Sequence, residues 1–378
     1  MEFQEQFILL RNTFLGNIQI RYYGIIIVAA MLIAAWVAAR LARARKYDPE
    51  HVWGGLTWAI FPGIIGARLW FVVFPPNALV LGCQPNAPVG ADCRDLSWFL
   101  ANIGNLRDGP LAVWSGGLSI FGAVLGGLLG VWLYLGPLHN PVSRFFYWLF
   151  YPVNYLFGFI GWLPTAVYRN LTKRNFVPFR PEPWQKAFPD EGLPMLPWLD
   201  IAAVTLPLAQ FIGRWANYVN QELYGTPTTL PWGITISQAH RVPPYTSPVD
   251  FPADTLFHPL FLYEGLWSLL AFFALYNLYT QRRNRPFFKV GDFFLLYVMQ
   301  YSVIRFLLEF LRVEVAYLPG TTINSSQVTV VLAFVVALIV FLSRRKAYGD
   351  KPYDEQVMMP QTPKPTGKQE QAEAAQAA

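Results

Sequence analysis

Arginines, carboxylates, asparagines and one histidine recur within or at the ends of long apolar runs, and these are the residues able to do chemistry. Arg68 stands two thirds of the way along the run Trp53–Phe74. Arg214, Asn217, Asn220, Glu222 and Gly225 follow one another directly after the run Leu196–Gly213. Asn217 and Asn220, three apart, share a face if the helix continues. His258 and Glu264 open the run Phe257–Tyr279. Tyr301, Arg305, Glu309 and Arg312 follow at spacings of 4, 4 and 3, which puts all four on one helix face. Ionisable groups inside a membrane are costly, so each is read first as functional. Arginine suits phosphate because its fork donates two parallel hydrogen bonds and stays charged. Such a set at one leaflet depth is a candidate site for an anionic lipid. For any single arginine the alternative is structural: Arg305 and Glu309 as an i,i+4 pair, Arg68 or Arg214 snorkelling to the interface.

The elements that must position these residues are membrane helices. Of 378 residues, 54% are hydrophobic and only 14% charged, against roughly 25% charged in a soluble domain. That excludes a disordered chain and a nucleic-acid-binding domain. Seven segments approach the length of about 20 apolar residues that a span needs: Ile18–Ala39, Trp53–Phe74, Leu111–Leu135, Leu196–Gly213, Phe257–Tyr279, Val290–Leu311 and Val328–Ser343. An eighth stretch, Phe145–Tyr168, is aromatic-rich, broken by prolines and flanked by basic residues at both ends. It suits an interface or a re-entrant loop better. With that stretch not spanning, twenty of the 29 basic residues fall in loops on one side. The positive-inside rule then predicts an all-α integral membrane protein of seven spans, N-terminus outside and C-terminus cytoplasmic.

The expected organisation is a membrane domain over 1–343 and a disordered cytoplasmic tail over 344–378. The domain has an outside loop at 75–110, a cytoplasmic insert at 138–197 and a small outside cap at 214–256. Cys83 and Cys93 lie in the outside loop, where a disulfide is chemically permitted. The N-terminal residues show no cleavable signal, so the first helix is expected to target the chain. The four histidines, His51, His139, His240 and His258, have no metal-ligand spacing. No internal repeat is visible.

Two motifs carry a family resemblance. GRWANYVNQELYG, residues 213–225, resembles the G-R-x-x-N-x-x-N-x-E-x-x-G signature of the prolipoprotein diacylglyceryl transferase family, and HPLFLYE, residues 258–264, matches its H-P-x-x-L-Y-E. RYYG at Arg21–Gly24, GARLWFVVF at Gly66–Phe74 and YSVIRFLLEFLR at Tyr301–Arg312 agree as well. WSGGLSIFGAVLGG, residues 114–127, resembles the Gly-rich third helix. In many members that helix carries a histidine, and here the position is Phe121. The insert at 138–197 has no counterpart in compact members.

The resemblance implies a multi-pass enzyme of the bacterial inner membrane without cofactor or metal. Its partners would be phosphatidylglycerol, membrane lipid and prolipoprotein signal peptides with a lipobox cysteine. It would move the diacylglyceryl group onto the cysteine thiol and release glycerol phosphate. By motif position, Arg214 and Arg305 hold the donor phosphate. Tyr23 and Asn217 orient the head group, and Glu222, Glu264 and Glu309 hold the arginines. Tyr301 is a partner of the phosphate, and Arg68 lines the access path. Asn220, Gly225 and Arg312 belong to the same substrate-binding set. The general base is unassigned, with His258 the nearest candidate. Two other readings stand beside it: a homologue that binds lipid or signal peptide without turnover, and a small transporter. A transporter predicts polar residues in both leaflets and often a duplication, and neither pattern is present.

Overall fold

The structure is a computed structural model that describes residues 2–3, 6–13, 16–74, 94–105, 109–112, 119–136, 193–313, 315, 323–347 and 351–356, with isolated positions 145, 152, 155, 159 and 163. Cys83 and Cys93, most of the 138–197 insert and residues 357–378 lie outside the described residues.

Eight helices are described: α1 Tyr22–Ala44, α2 Glu50–Val73, α3 Leu96–Ala101, α4 Ile120–Leu135, α5 Met195–Asn220, α6 Leu260–Asn277, α7 Asp292–Leu308 and α8 Ser325–Ala347. A π-helical turn, Leu278–Arg282, prolongs α6, and a 3-10 turn, Glu309–Leu311, prolongs α7. Six of the helical stretches are long and apolar enough to cross a membrane. A shorter apolar helix, Gly122–Leu135, lies within the expected run Leu111–Leu135. The chain is a mostly helical, multi-pass membrane protein. Large apolar side chains such as Leu270, Leu332 and Ile339 are exposed on the helix surfaces, as lipid-facing positions require.

The expectation of an all-α chain needs correction. The N-terminal residues form an antiparallel sheet of β1 Glu2–Phe3, β2 Phe7–Thr13 and β3 Gly16–Arg21, in the order β1-β2-β3. Ile8 pairs with Ile20 and Leu10 with Ile18. The apolar run from Ile18 thus begins as strand. Ile18 and Ile20 alternate with Asn17 and Gln19, a period of two, and the helical period starts only at Tyr22.

Contacts divide the chain into two compact units, Met1–Pro49 with Leu196–Ala378, and Glu50–Met195. In the second unit α2 packs on α4 through glycine. A Cβ on Gly66 would collide with the carbonyl oxygen of Gly122, and one on Gly122 with that of Gly66. Small residues let membrane helices approach this closely. Arg68 is buried there. It donates to the carbonyls of Gly109 (2.7 Å) and Pro110 (3.1 Å) and lies over the rings of Phe71 and Phe99.

In the first unit a small cap follows α5. It holds a two-stranded ribbon, β4 Ile234–Thr235 with β5 Leu256–Phe257, and a core of Tyr224, Ile236 and Phe257. Buried Arg241 staples it by donating to the carbonyls of Ile236 (2.9 Å), Phe251 (2.5 Å) and Pro252 (3.0 Å).

The segment 351–356 closes the other end of α5. Tyr353, fully buried, donates to Asp200 Oδ2 at 2.5 Å. Asp200, also fully buried, accepts from the backbone N–H of Gly291 and Phe294 at 2.6 and 2.9 Å. Asp354 takes both ends of the Arg283 guanidinium at 3.0 and 2.6 Å. The tail expected to be disordered from residue 344 therefore has helix through Ala347 and a docked segment after it. Its polar composition hides two anchors, Tyr353 and Asp354.

Candidate functional site

The site is built where α5, α6 and α7 carry the motif residues. The signature helix runs seven residues beyond the expected boundary at Gly213, so Arg214, Asn217 and Asn220 are helical and not part of the cap. Glu264 lies in the second turn of α6, 6% exposed at its side chain, and pairs with Arg214 Nη2. Arg214 Nη1 donates to Asn217 Oδ1 at 3.4 Å. Asn217 Nδ2 in turn donates to Glu222 Oε1 at 2.7 Å. A carboxylate, guanidinium, amide and second carboxylate thus form one line from α6 to the end of α5.

Glu222 can turn back because α5 ends in a sharp cap. Its backbone N–H bonds the carbonyl of Asn217, and that of Gln221 bonds the carbonyl of Tyr218, both at 3.0 Å. This is a Schellman closure, whose left-handed position is usually glycine. Here Gln221 holds it, with φ 52°. The Gln221 side chain explains the exception: its Oε1 accepts from the Ser237 N–H at 2.7 Å, tying the helix end to the cap. Leu223 is left-handed too, with φ 56°. Two strained residues around one carboxylate mark a place held by its surroundings.

On α7, Arg305 pairs with Glu309 at 2.9 Å. Arg312 reaches the same carboxylate at 3.7 Å. The expected single helix face needs correction here. The α-helix stops at Leu308, and Arg312 is extended and bridges to Gly225. Cap pairing wins over helix at this point, since Thr226 N–H takes the Leu311 carbonyl at 2.8 Å. Glu309 is the ion-pair partner of Arg305 among the described residues, and a single carboxylate does not engage all five N–H donors of a guanidinium. Gly225 is required by close approach: a Cβ there would sit 2.8 Å from His258 Cβ and 2.9 Å from the Leu311 carbonyl oxygen.

Tyr301 lies one turn before Arg305 on α7, beside Tyr297, whose hydroxyl accepts from Gln210 Nε2 at 2.9 Å, one turn before Arg214 on α5. The charges of Glu264, Arg214, Arg305 and Arg312 all act on its hydroxyl. It packs against the buried Leu260, Ile304 and Leu308 and stacks on Tyr297. Tyr23, at the start of α1, feels Glu222 and Arg214. Asn220, Glu222 and Arg312 line a cavity of about 250 Å³ together with His240. Asn220 Oδ1 is buried there without a hydrogen-bond partner among the described residues.

The structure therefore brings together Tyr23, Arg214, Asn217, Asn220, Glu222, Gly225, His258, Glu264, Tyr301, Arg305, Glu309 and Arg312 within one unit. It does not add Arg68, whose partners described above lie in the other unit. Sequence reasoning missed His240, which it counted as scattered. It also missed Gln221, whose signal was a helix end without glycine. No group of three or more His, Cys, Asp or Glu could hold a metal ion among the described residues.

The sequence profile described as prolipoprotein diacylglyceryl transferase matches residues 12–153 and 185–343. The chain belongs to the prolipoprotein diacylglyceryl transferase family. The family match breaks within the 138–197 insert and spans both units. Among individual relatives, the chain is 32% identical to the phosphatidylglycerol–prolipoprotein diacylglyceryl transferase of Chloroflexus aggregans, covering 89% of this chain and 88% of that protein. It is 30% identical to the protein of the same name from Symbiobacterium thermophilum, over 89% and 94% of the two chains. With that of Pediococcus pentosaceus the identity is 29%, over 89% and 90%. Every motif residue singled out above falls inside the family match.

Proposed function

We propose that the chain transfers the diacylglyceryl group of phosphatidylglycerol to the lipobox cysteine thiol of a prolipoprotein. Sulfur attacks the glyceryl carbon next to the phosphodiester, the carbon–oxygen bond breaks, and glycerol phosphate leaves with the electron pair. The thiol proton is released to the phosphate or to water. The observation that carries this reading is the arrangement around Tyr301. Two arginines, each paired to a carboxylate, leave donors free for one anionic group. Arg214 and Arg305 bind the phosphate and match the charge that grows on its oxygen as the bond breaks. The same positive field favours the thiolate, the reactive form of the nucleophile. Glu264 and Glu309 hold the two guanidiniums, and Tyr23, Asn217 and Tyr301 orient the head group. Asn220, Glu222 and Arg312 line the cavity beside it, and Gly225 lets His258 and Leu311 approach closely. Arg68 anchors its own helix to the carbonyls of Gly109 and Pro110.

The topology proposed with this reading is seven crossings of the bacterial inner membrane, N-terminus outside, with α4 as the short seventh span. The site then faces the outer leaflet, at the depth of phospholipid head groups.

The test is turnover. Purified protein in detergent is incubated with phosphatidylglycerol and a lipobox peptide, and the diacylglyceryl thioether is sought by mass spectrometry. The adduct is expected on the cysteine peptide and absent from a Cys→Ser peptide. Binding of lipid or peptide without any adduct would overturn the reading in favour of a non-catalytic homologue.

A further inference from the structure

His258 is held more firmly than its sequence position implies. Its carbonyl accepts from the Gly225 N–H at 2.9 Å, and its own N–H donates to the Thr226 carbonyl at 3.1 Å. The ring has one described partner. Nδ1 lies 3.1 Å from the hydroxyl of Tyr263, one turn into α6. That hydroxyl also lies 2.8 Å from Nε1 of Trp232, an exposed residue of the cap.

The direction of these bonds can be worked out. An indole nitrogen only donates, so Trp232 takes a lone pair of the Tyr263 oxygen. The hydroxyl has one proton, and His258 Nδ1 is the acceptor beside it. Trp232 to Tyr263 to His258 is then a chain of donors in which every group is satisfied. The first bond polarises the O–H and strengthens the second. In the reverse arrangement the Tyr263 oxygen accepts from both Trp232 and Nδ1–H and its own proton turns to solvent, which gives up the cooperative chain. The first arrangement keeps Nδ1 as the acceptor, so the proton of the neutral ring sits on Nε2.

We infer that Trp232 and Tyr263 are positioning residues that hold His258 as a hydrogen-bond donor through Nε2, aimed at an anionic phosphate oxygen. The inference rests on the transferase reading and refines it. A neutral ring in this state has no lone pair at Nε2, so it does not take the thiol proton. It offers an N–H to the oxygen on which charge grows. The location supports this: Tyr263 packs on the same Leu260, Ile304 and Leu308 cluster as Tyr301, around which the arginines stand. Tyr263, which holds the ring, and Tyr301, one helical turn before Arg305, rest on the same cluster.

The test reads the tautomer directly. Protein labelled with 15N-histidine in detergent at neutral pH gives four ring systems, assigned by single His→Gln changes. His258 is expected with a protonated Nε2 and an unprotonated Nδ1. Tyr263→Phe is expected to mix the two tautomers and to lower kcat about tenfold, the worth of one hydrogen bond, with KM for phosphatidylglycerol little changed. Trp232→Phe leaves the hydroxyl in place and is expected to move the His258 Nδ1 resonance while the protein stays folded, which covers the case in which Tyr263→Phe does not fold. His258→Gln retains an amide donor and is expected to stay well above His258→Ala, which loses about a hundredfold or more. An Nδ1-protonated wild-type ring, or a His258→Gln protein as inactive as His258→Ala, would overturn the inference. Absence of any thioether from wild-type protein whose ring shows the expected tautomer would instead sink the transferase reading.

Discussion

At the scale of single residues, the central question is what holds an arginine still at a costly depth. Arg214 is held by Glu264 on one side and Asn217 on the other. A lysine keeps the charge but offers a single ammonium, so it cannot reproduce the fork. Arg214→Lys is therefore expected to lose at least tenfold in transfer, and Arg214→Ala to abolish it, both read by the mass-spectrometric assay. Stability separates the pair from its chemistry. Arg214→Ala leaves Glu264 buried and unpaired, at a cost of about 3–5 kcal/mol, seen as a lower unfolding midpoint in detergent. Glu264→Gln added to that variant restores much of the loss and none of the activity. If both variants unfold alike, Glu264 is not the counter-charge. The motif residues were legible because their types and spacings are unusual in an apolar chain. The roles of Gln221, Trp232 and Tyr263 were not. A glutamine in a left-handed cap and a tyrosine fixing an imidazole look ordinary until the backbone and the partners are seen together.

At the scale of elements, two devices set helix positions. The α2–α4 crossing depends on glycine against glycine, within the run that resembles the family's Gly-rich third helix. Gly122→Ala forces a methyl group into the Gly66 carbonyl. Overpacking of this kind costs about 1–3 kcal/mol, so a lower unfolding midpoint is expected. Gly24, in α1, has nothing within 4 Å of its added Cβ, so Gly24→Ala is the matched control and should leave the midpoint unchanged or raise it. Equal effects at the two sites would show that the α2–α4 approach does not depend on glycine. The second device is the end of a helix. Hydrophobicity ended α5 at Gly213 because Arg214 is charged. Hydrogen bonding carries it to Asn220, because Arg214 and Asn217 find partners on α6 and at Glu222. The reverse holds on α7, where periodicity ran the helix to Arg312 and strand-like pairing with Gly225 stops it at Leu308. Apolar patterns locate membrane helices well, and polar partnerships, which a single sequence does not display, decide where they end.

At the scale of the whole molecule, three of the basic residues counted for orientation are engaged with the protein as well. Arg45 donates to the Tyr279 carbonyl, Arg283 pairs with Asp354, and Arg345 pairs with Asp292. The docked segment 351–356, which follows α8, ties two elements of this end together: α5 through Asp200, and the α6–α7 connection through Arg283, Asn284 and Val290. Its electrostatics are testable by pH. Burial pushes the Asp354 carboxyl up, but hydrogen bonds from Arg283 and Asn284 and the charge of Arg283 outweigh it and leave the group below its ordinary value of 3.8. A carboxyl depressed in the folded state adds stability above its unfolded value, and that contribution disappears as pH falls through the folded value. Asp354→Asn is therefore expected to lower the unfolding midpoint at pH 7. The gap to wild type should close as pH drops below about 4, the unfolded aspartate range. Tyr353→Phe removes a different bond, from a hydroxyl to a buried carboxylate, worth about 1.5–3 kcal/mol. Its cost should not follow the Asp354 titration. If the Asp354→Asn gap stays constant across this range, the Arg283 pair contributes geometry and no charge, and the docked segment is held by Tyr353 and its aromatic neighbours, Tyr279 and Phe293.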